Sequence, residues 1–243
     1  MEIQSKEKKV AGISLSVFVY NNPSEAIRAL SSIAPRELEE MASVYQLGFG
    51  GPPWWEKFKC ADCGTFSSVD TCCPNCKGNS LGEAYPKDGL INNYFPKTLS
   101  EFTPGTLIKA KENGKVIGFT TGGTTELEEL VKIKYGNKKE ILDSIVNTME
   151  LAPNIMVFYD NETCVTPTKQ QQGAGRILSQ VRINSAIDLG TEVIVGRTIN
   201  KPWLSLKKEQ LDVIGYDFQY FVPGGDTYMV EGNPRMFYVA RRK

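Results

Sequence analysis

The sequence predicts an α/β fold of the α+β kind with one small inserted element, and three observations predict it. Strand-like and helix-like stretches alternate over most of the 243 residues. A long apolar run, Asn154 to Val165, leads into a glycine-containing loop and then an amphipathic helical pattern. Two Cys-x-x-Cys pairs lie close together in a stretch too poor in apolar residues to build a core.

Composition narrows the function. An apolar content of 41% can bury one main domain with a small appendage. Lys plus Arg and Asp plus Glu number 28 each, so there is no global signature of nucleic-acid or anionic-membrane binding. No apolar run reaches bilayer length and no charged-then-apolar leader is present, which leads to the expectation of a cytoplasmic chain without membrane contact. Histidine is absent. That excludes Ser-His-Asp and Cys-His catalysis and every His-based metal site. Any general base must be a carboxylate, Cys, Tyr, Lys or a water chain.

Taken in order, Met1 to Lys9 is charged and reads as a frayed end, and Ile13 to Tyr20 alternates as a strand. Asn21-Asn22-Pro23-Ser24 is turn chemistry, and helices are expected from near Ser24 and near Pro35. Pro52 and Pro53 stop the second helix, followed by Trp54 and Trp55. These tryptophans plug the end of the core or wall a substrate site; both readings stand at this point.

Cys60-Ala61-Asp62-Cys63-Gly64 and Cys73-Pro74-Asn75-Cys76-Lys77-Gly78 follow. Such knuckles turn two sulfurs toward one ion, and four thiolates make a tetrahedral zinc site, with disulfides and rubredoxin-like iron as the competing readings. With Cys60, Cys63, Cys73 and Cys76 filling every position, the metal would be structural and would supply folding energy. Cys72 is taken as a bystander. The insert spans residues 58–78, flanked by a main domain of 1–57 and 79–243, and its balanced charges favour a packing or protein-contact role.

Leu81 to Pro96, rich in Gly, Asn and Pro, reads as irregular. Thr106 to Ala110 and Val116 to Thr121 form a hairpin about Asn113-Gly114, which Gly122-Gly123 ends. Thr124 or Thr125 then caps a helix, Thr125 with Glu128 in a capping-box pattern, and Ile141 to Met149 gives another helix that Pro153 closes. Beyond the glycine loop come a helix, a strand from Glu192 to Ile199, a helix from Trp203 to Ile214, and two closing strands, Phe218 to Val222 and Phe237 to Ala240, separated by a Gly-rich loop.

Strand, glycine turn and helix in that order make an anion site, because the first N–H groups of a helix are unpaired and its dipole favours negative charge. A Walker loop would need Gly-Lys-Ser/Thr, and a dinucleotide fingerprint would need Gly or Ala where Leu178 stands. What remains is Gln170-x-x-Gly173-x-Gly175, preceded by Glu162-Thr163-Cys164-Val165-Thr166-Pro167. With Asn200 after the next strand and Gly215-Tyr216 after the next helix, this resembles the GNAT N-acetyltransferase superfamily over most of the chain, the Cys segment and residues 124–153 being insertions.

The resemblance implies a mixed, mostly antiparallel central sheet flanked by helices, and transfer of an acetyl group from acetyl-CoA to a primary amine, on a small molecule or a peptide. It implies that backbone groups of Cys164, Val165 and Thr166 pair with the pantetheine arm. The loop from Gln170 through Gln171, Gln172, Gly173, Ala174 and Gly175 to Arg176 would hold the pyrophosphate, and Asn200 would touch the cofactor arm. Glu162 stands where the family places a strand carboxylate acting directly or through water; its bland reading is an ion-paired strand end. The family's acid tyrosine falls at Leu211, leaving Tyr216, Tyr220 and Tyr228 as weak substitutes. The missing tyrosine keeps a second reading alive: a non-catalytic acyl-CoA-binding or interaction module whose ribbon docks a partner. Homodimerisation is left open.

Overall fold

The computed structural model describes residues 4–51, 53–230 and 233–243. The chain begins with β1 (Gln4–Val10) and β2 (Ile13–Tyr20), then α1 (Pro23–Ser31) and α2 (Pro35–Gly50). The expectation of a frayed start is therefore corrected from Gln4 onward, while residues 1–3 and Pro52 lie outside the described residues. Ala11 and Gly12 both take positive φ, the turn that matches strand twist, so β1 folds back on β2 along its whole length. Its lysines suit a sheet edge.

The insert holds β3 (Phe58–Cys60), β4 (Phe66–Ser67) and β5 (Leu81–Glu83), one small three-stranded sheet whose last strand lies beyond residue 78. Next comes a segment read from sequence as irregular, and here the structure differs. Helix α3 (Lys87–Gly89), a π turn over Leu90–Tyr94 and helix α4 (Phe95–Glu101) are continuous. Leu90, Phe95 and Leu99 are buried on one face. Pro96 is tolerated in the first turn of α4, directly after the wide turn in which the Phe95 N–H donates to the Leu90 carbonyl.

β6 (Gly105–Glu112) and β7 (Lys115–Glu126) form the predicted hairpin, but β7 does not stop at Gly122-Gly123. A Cβ at Gly122 would lie 2.6 Å from the Phe158 ring, so this glycine permits close packing inside a strand rather than a turn. Helix α5 (Leu127–Tyr135) accordingly starts after Glu126, without the expected Thr124 or Thr125 cap. Then follow α6 (Lys139–Met149), β8 (Met156–Val165), a short 3-10 turn at Pro167–Lys169, α7 (Ala174–Asp188), β9 (Val193–Thr198), α8 (Lys201–Val213) and β10 (Tyr216–Phe221). The expected Gly-rich loop contains a small pair, β11 (Met229–Val230) and β12 (Asn233–Pro234), before β13 (Met236–Arg242).

The main sheet has eight strands in the order β1-β2-β6-β7-β8-β9-β13-β10. Every neighbouring pair is antiparallel except β8 and β9. This is the mixed, mostly antiparallel sheet flanked by helices that was expected. Alternation along the strands divides two faces. Leu107, Phe119, Tyr159 and Val195 pack with α1, α2, α4, α5 and α6 on one side. Ile108, Ile117, Phe158 and Ile194 pack on the other, with residues of α7 and α8. Among the described residues no helix is long and apolar enough to cross a membrane.

Candidate functional site

Two features of β8 create the site. First, its pairing with β9 is short, Phe158 with Ile194, Tyr159 with Val195 and Asp160 with Gly196, after which the two strands part. Second, the β7 register jumps between Thr121, opposite Glu162, and Gly122, opposite Asp160, leaving Asn161 as an extra residue. A bulge shifts the in–out alternation by one. Glu162 therefore turns to the α2 face, the same face as Tyr159 three residues earlier. The buried Arg182 of α7 fixes this bend, donating to the Thr121 carbonyl at 3.0 Å and the Glu162 carbonyl at 2.7 Å.

A cavity of about 770 Å³ passes through the gap where the strands part. On the α7 face it meets the glycine loop. Gly173 takes φ +88 as the N-terminal cap of α7, and Gln171 is also left-handed at φ 60. A Cβ at Gly175 would meet nothing closer than the Trp203 ring at 3.6 Å, so packing within the protein does not demand glycine there. The space belongs to the cavity. Arg176 forms a bidentate pair with Glu209 at 2.8 and 2.9 Å, so at this position the backbone is the part left to face a ligand.

Strand alternation also sorts the peptide groups along the gap. The Thr166 N–H donates to the Ile117 carbonyl at 2.9 Å, on the β7 side. By alternation Cys164 also faces β7, and the peptide groups of Val165 and Thr163 face the gap. Of the three residues expected to pair with a ligand arm, Val165 has this orientation. Asn200 caps α8 by accepting from the Trp203 N–H at 3.1 Å and stands on the cavity wall.

On the α2 face the wall is aromatic and acidic. The Glu162 carboxylate accepts a hydrogen bond from Tyr94, in the π turn, and the single O–H of Tyr45 of α2 is shared between Glu162 at 3.2 Å and the Tyr94 oxygen at 2.9 Å. Burial raises the Glu162 carboxyl above its ordinary 4.5, against the Tyr94 hydrogen bond and the Lys134 charge, which lower it. Burial and the Glu162 charge push both tyrosines well above 10.0, so they stay protonated donors. Glu56, 6% exposed, accepts from Tyr85 and Tyr228. Trp54 tilts on Phe49 at 5.3 Å and joins the same wall.

Basic groups line another part of the same face. Arg197 of β9 donates to the Tyr159 hydroxyl and to the Lys134 carbonyl, each at 3.2 Å. Burial alone would raise the Tyr159 phenol, yet Arg197 and Lys134 draw it below 10.0. Beneath the gap, Asp160 pairs with Arg182 and, at 2.5 Å, with Lys207, and accepts from Tyr238. Burial lowers both bases, Arg182 to about 10, and the neighbouring Arg182 charge lowers Lys207 further.

Several expected residues fall elsewhere. Gln170, Gln171, Gly173, Gly175, Arg176, Cys164 and Val165 are on the cavity wall, whereas Thr166, Gln172, Ala174 and Trp55 are not. Tyr216 is corrected as an acid: it is buried in the core, donating to the Thr191 carbonyl at 2.8 Å. Tyr220 points to solvent, and Leu211 is core. Burial pushes the Cys164 thiol well above 9.0, which leaves it a poor nucleophile. Tyr45, Tyr94, Glu56, Lys134 and Arg197 were not singled out from the sequence; helical spacing of Leu90, Tyr94, Phe95 and Leu99 was the available signal for Tyr94.

The sulfurs of Cys60, Cys63, Cys73 and Cys76 lie within 4.8 Å of one another. The two knuckles repeat one turn, with the Gly64 N–H donating to the Cys60 carbonyl at 2.9 Å and the Lys77 N–H to the Cys73 carbonyl at 3.0 Å. Sulfur separations of 3.5 Å for Cys63–Cys73 and 3.6 Å for Cys60–Cys76 are far beyond a disulfide bond of about 2 Å. They approach the roughly 3.8 Å edge of a tetrahedron with metal–sulfur bonds of about 2.3 Å. The donor set fits a tetrahedral thiolate metal. Cys72 is exposed and outside the cluster.

No family model matches the chain, and no curated protein matches it by sequence. Similar solved structures include the Drosophila melanogaster polyamine N-acetyltransferase, an enzyme forming N-acetylagmatine, at 12% identity and TM-score 0.44, covering 93% of this chain and 100% of that one. A mosquito arylalkylamine N-acetyltransferase-like protein matches at 11% identity and TM-score 0.43, over 68% of this chain and 84% of that one. A GNAT family acetyltransferase from Elizabethkingia anophelis, with acetyl-CoA bound, matches at 16% and 0.35, over 57% and 76%. At these values the likeness names no substrate and no site residue for this chain.

Proposed function

We propose that the chain is an acyl-CoA-dependent N-acyltransferase of the GNAT superfamily, moving an acetyl group from acetyl-CoA to a primary amine. The observation that carries the reading is Glu162, a half-buried carboxyl held by two tyrosines, its pKa raised, on the wall of a cavity that opens, between parting strands, onto a helix-capping glycine loop. Amide N–H groups at the start of α7 and the space at Gly175 suit a pyrophosphate. The gap-facing peptide of Val165 suits an amide-bearing arm added as a further strand.

Glu162 then acts as base. An acceptor ammonium is not nucleophilic, so Glu162 takes one proton from it, directly or through water, and the free amine attacks the thioester carbonyl. The carbon–sulfur bond breaks, and the nitrogen gives up its second proton. Tyr94 lies against Glu162; we assign its hydroxyl the protonation of the departing thiolate, its own proton being replaced through the Glu162 hydrogen bond. One proton is released overall. Tyr94 thus offers a hydroxyl in place of the one Leu211 lacks, which supports the catalytic reading over a non-catalytic module. The ribbon would hold zinc through Cys60, Cys63, Cys73 and Cys76, supplying structure only.

Titration calorimetry tests the donor site. Acetyl-CoA is expected to bind, and Gly175→Asp, which sets a carboxylate in the anion cradle, is expected to weaken it by about tenfold or more. Unaltered affinity in that variant would remove the loop from the site. Mass spectrometry of amines incubated with protein and acetyl-CoA reads the transfer itself.

A further inference from the structure

On the basic wall of the cavity Lys134 has Glu101 as a partner, at 3.8 Å, whereas Arg197 has no carboxylate partner among the described residues. Among the described residues Arg197 meets oxygens of tyrosines and backbone rather than a carboxylate: it donates to the Tyr159 hydroxyl and the Lys134 carbonyl, and its guanidinium lies 4.7 Å over the Tyr135 ring. Two carboxylates stand near: Glu101, 3.8 Å from the Lys134 ammonium, and Asp226, which accepts from the Tyr228 N–H at 3.0 Å. Among the described residues neither pairs with Arg197. A guanidinium taken from water without a counter-charge is costly, and here it faces an open cavity. Lys134 and Arg235 add positive charge to the same wall.

This wall is on the α2 and α5 face of the sheet, whereas the glycine loop at the start of α7 is on the other. The cations are therefore set apart from the donor's expected phosphate site and share their face with Glu162. The cavity thus offers carboxylates, Glu162 and Glu56, at one place and cations at another.

We infer that the acceptor is an amine that also carries an anionic oxygen group, carboxylate or phosphate, seated on Arg197 and Lys134 while its amine faces Glu162. The inference rests on the N-acyltransferase reading for the amine's role, but the anion site stands on its own geometry. A planar guanidinium with N–H donors left over from its two hydrogen bonds recognises either group by a bidentate pair. Diamines, with a second cation in place of the anion, would be repelled.

The test uses matched acceptors: 4-aminobutanoate and O-phosphoethanolamine against butylamine, ethylamine and putrescine. Binding to the CoA-loaded protein is measured by calorimetry and transfer by thiol release. The anionic amines are expected to bind about tenfold or more tighter than the uncharged-tail amines, the size of a charge-assisted hydrogen bond. The carboxylate and phosphate arms tell which group the site takes. Arg197→Gln is expected to erase the preference, and Lys134→Met to reduce it, with acetyl-CoA affinity retained as the control for folding. Preference for putrescine or the uncharged-tail amines would overturn the inference, and so would loss of acetyl-CoA affinity in Arg197→Gln, which would give the cations to the donor. Binding of anionic amines without any transfer would uphold the anion site and sink the acyltransferase reading instead.

Discussion

Burial raises the Glu162 carboxyl, Tyr94, Lys134 and Tyr45 oppose it, and the net shift is upward. The fold therefore favours the protonated acid. That contribution to stability is complete below pH 4.5 and is lost as pH rises through the raised value. Glu162→Gln keeps the shape and removes the charge, so its melting temperature is expected to exceed the wild-type value at neutral pH and to converge with it in acid. A variant that melts lower at neutral pH would mean that the tyrosines stabilise the ionised form more than burial penalises it. Glu162 was legible because it precedes a glycine loop at a recognisable spacing. Its partners were not. Asn92-Asn93 beside Tyr94 reads as loop chemistry, and Arg182 and Lys207 look like solvated helix positions until Asp160 is brought under them by the sheet.

The ribbon was readable as an element, since metal-ligand spacing is local in sequence, but its relation to the cavity was not. Phe66 of β4 stacks on Tyr85 at 5.9 Å, Tyr85 donates to Glu56, and all three stand on the cavity wall where the acceptor is proposed to bind. Gln46 of α2 holds the far strand, donating to Glu83 at 2.7 Å and to the Tyr85 carbonyl at 2.8 Å. Stripping the metal with a thiol-competent chelator is thus expected to raise KM for the amine about tenfold or more through the loosened wall, while acetyl-CoA affinity holds. Metal analysis, calorimetry and acceptor kinetics on one preparation check this, and an unchanged KM with fully stripped metal would detach the ribbon from the acceptor site. The bulge in β8 and the run of β7 through Gly122-Gly123 escaped sequence reading for a shared reason. Paired glycines and a single extra residue are local signals of a turn, and only contacts from Phe158 and Arg182 make them strand.

The molecule as a whole is held around its gap by the Asp160 cluster, which joins β8, α7, α8 and β13 through Arg182, Lys207 and Tyr238. Sequence periodicity supplied the order of elements, whereas this cross-link depends on residues far apart in the chain. Lys207 is fully buried and Arg182 is 1% exposed, so removing the shared anion strands two cations in the core. Asp160→Asn is expected to cost about 3–5 kcal/mol in denaturant unfolding. A loss below about 1 kcal/mol would show that the cations are neutralised or hydrated without it. Around that gap the glycine loop and the aromatic wall line one cavity with Glu162, from opposite faces of one sheet. The measurement that bears most directly on this arrangement is the pH profile of amine-dependent thiol release from acetyl-CoA, for the wild type and Glu162→Gln. The wild-type kcat/KM is expected to rise through an ionisation above 4.5, and the variant to lose that limb along with about 10²–10⁴-fold in rate. Equal rates and one shared profile in the two proteins would contradict Glu162 as the base on which the proposed function rests.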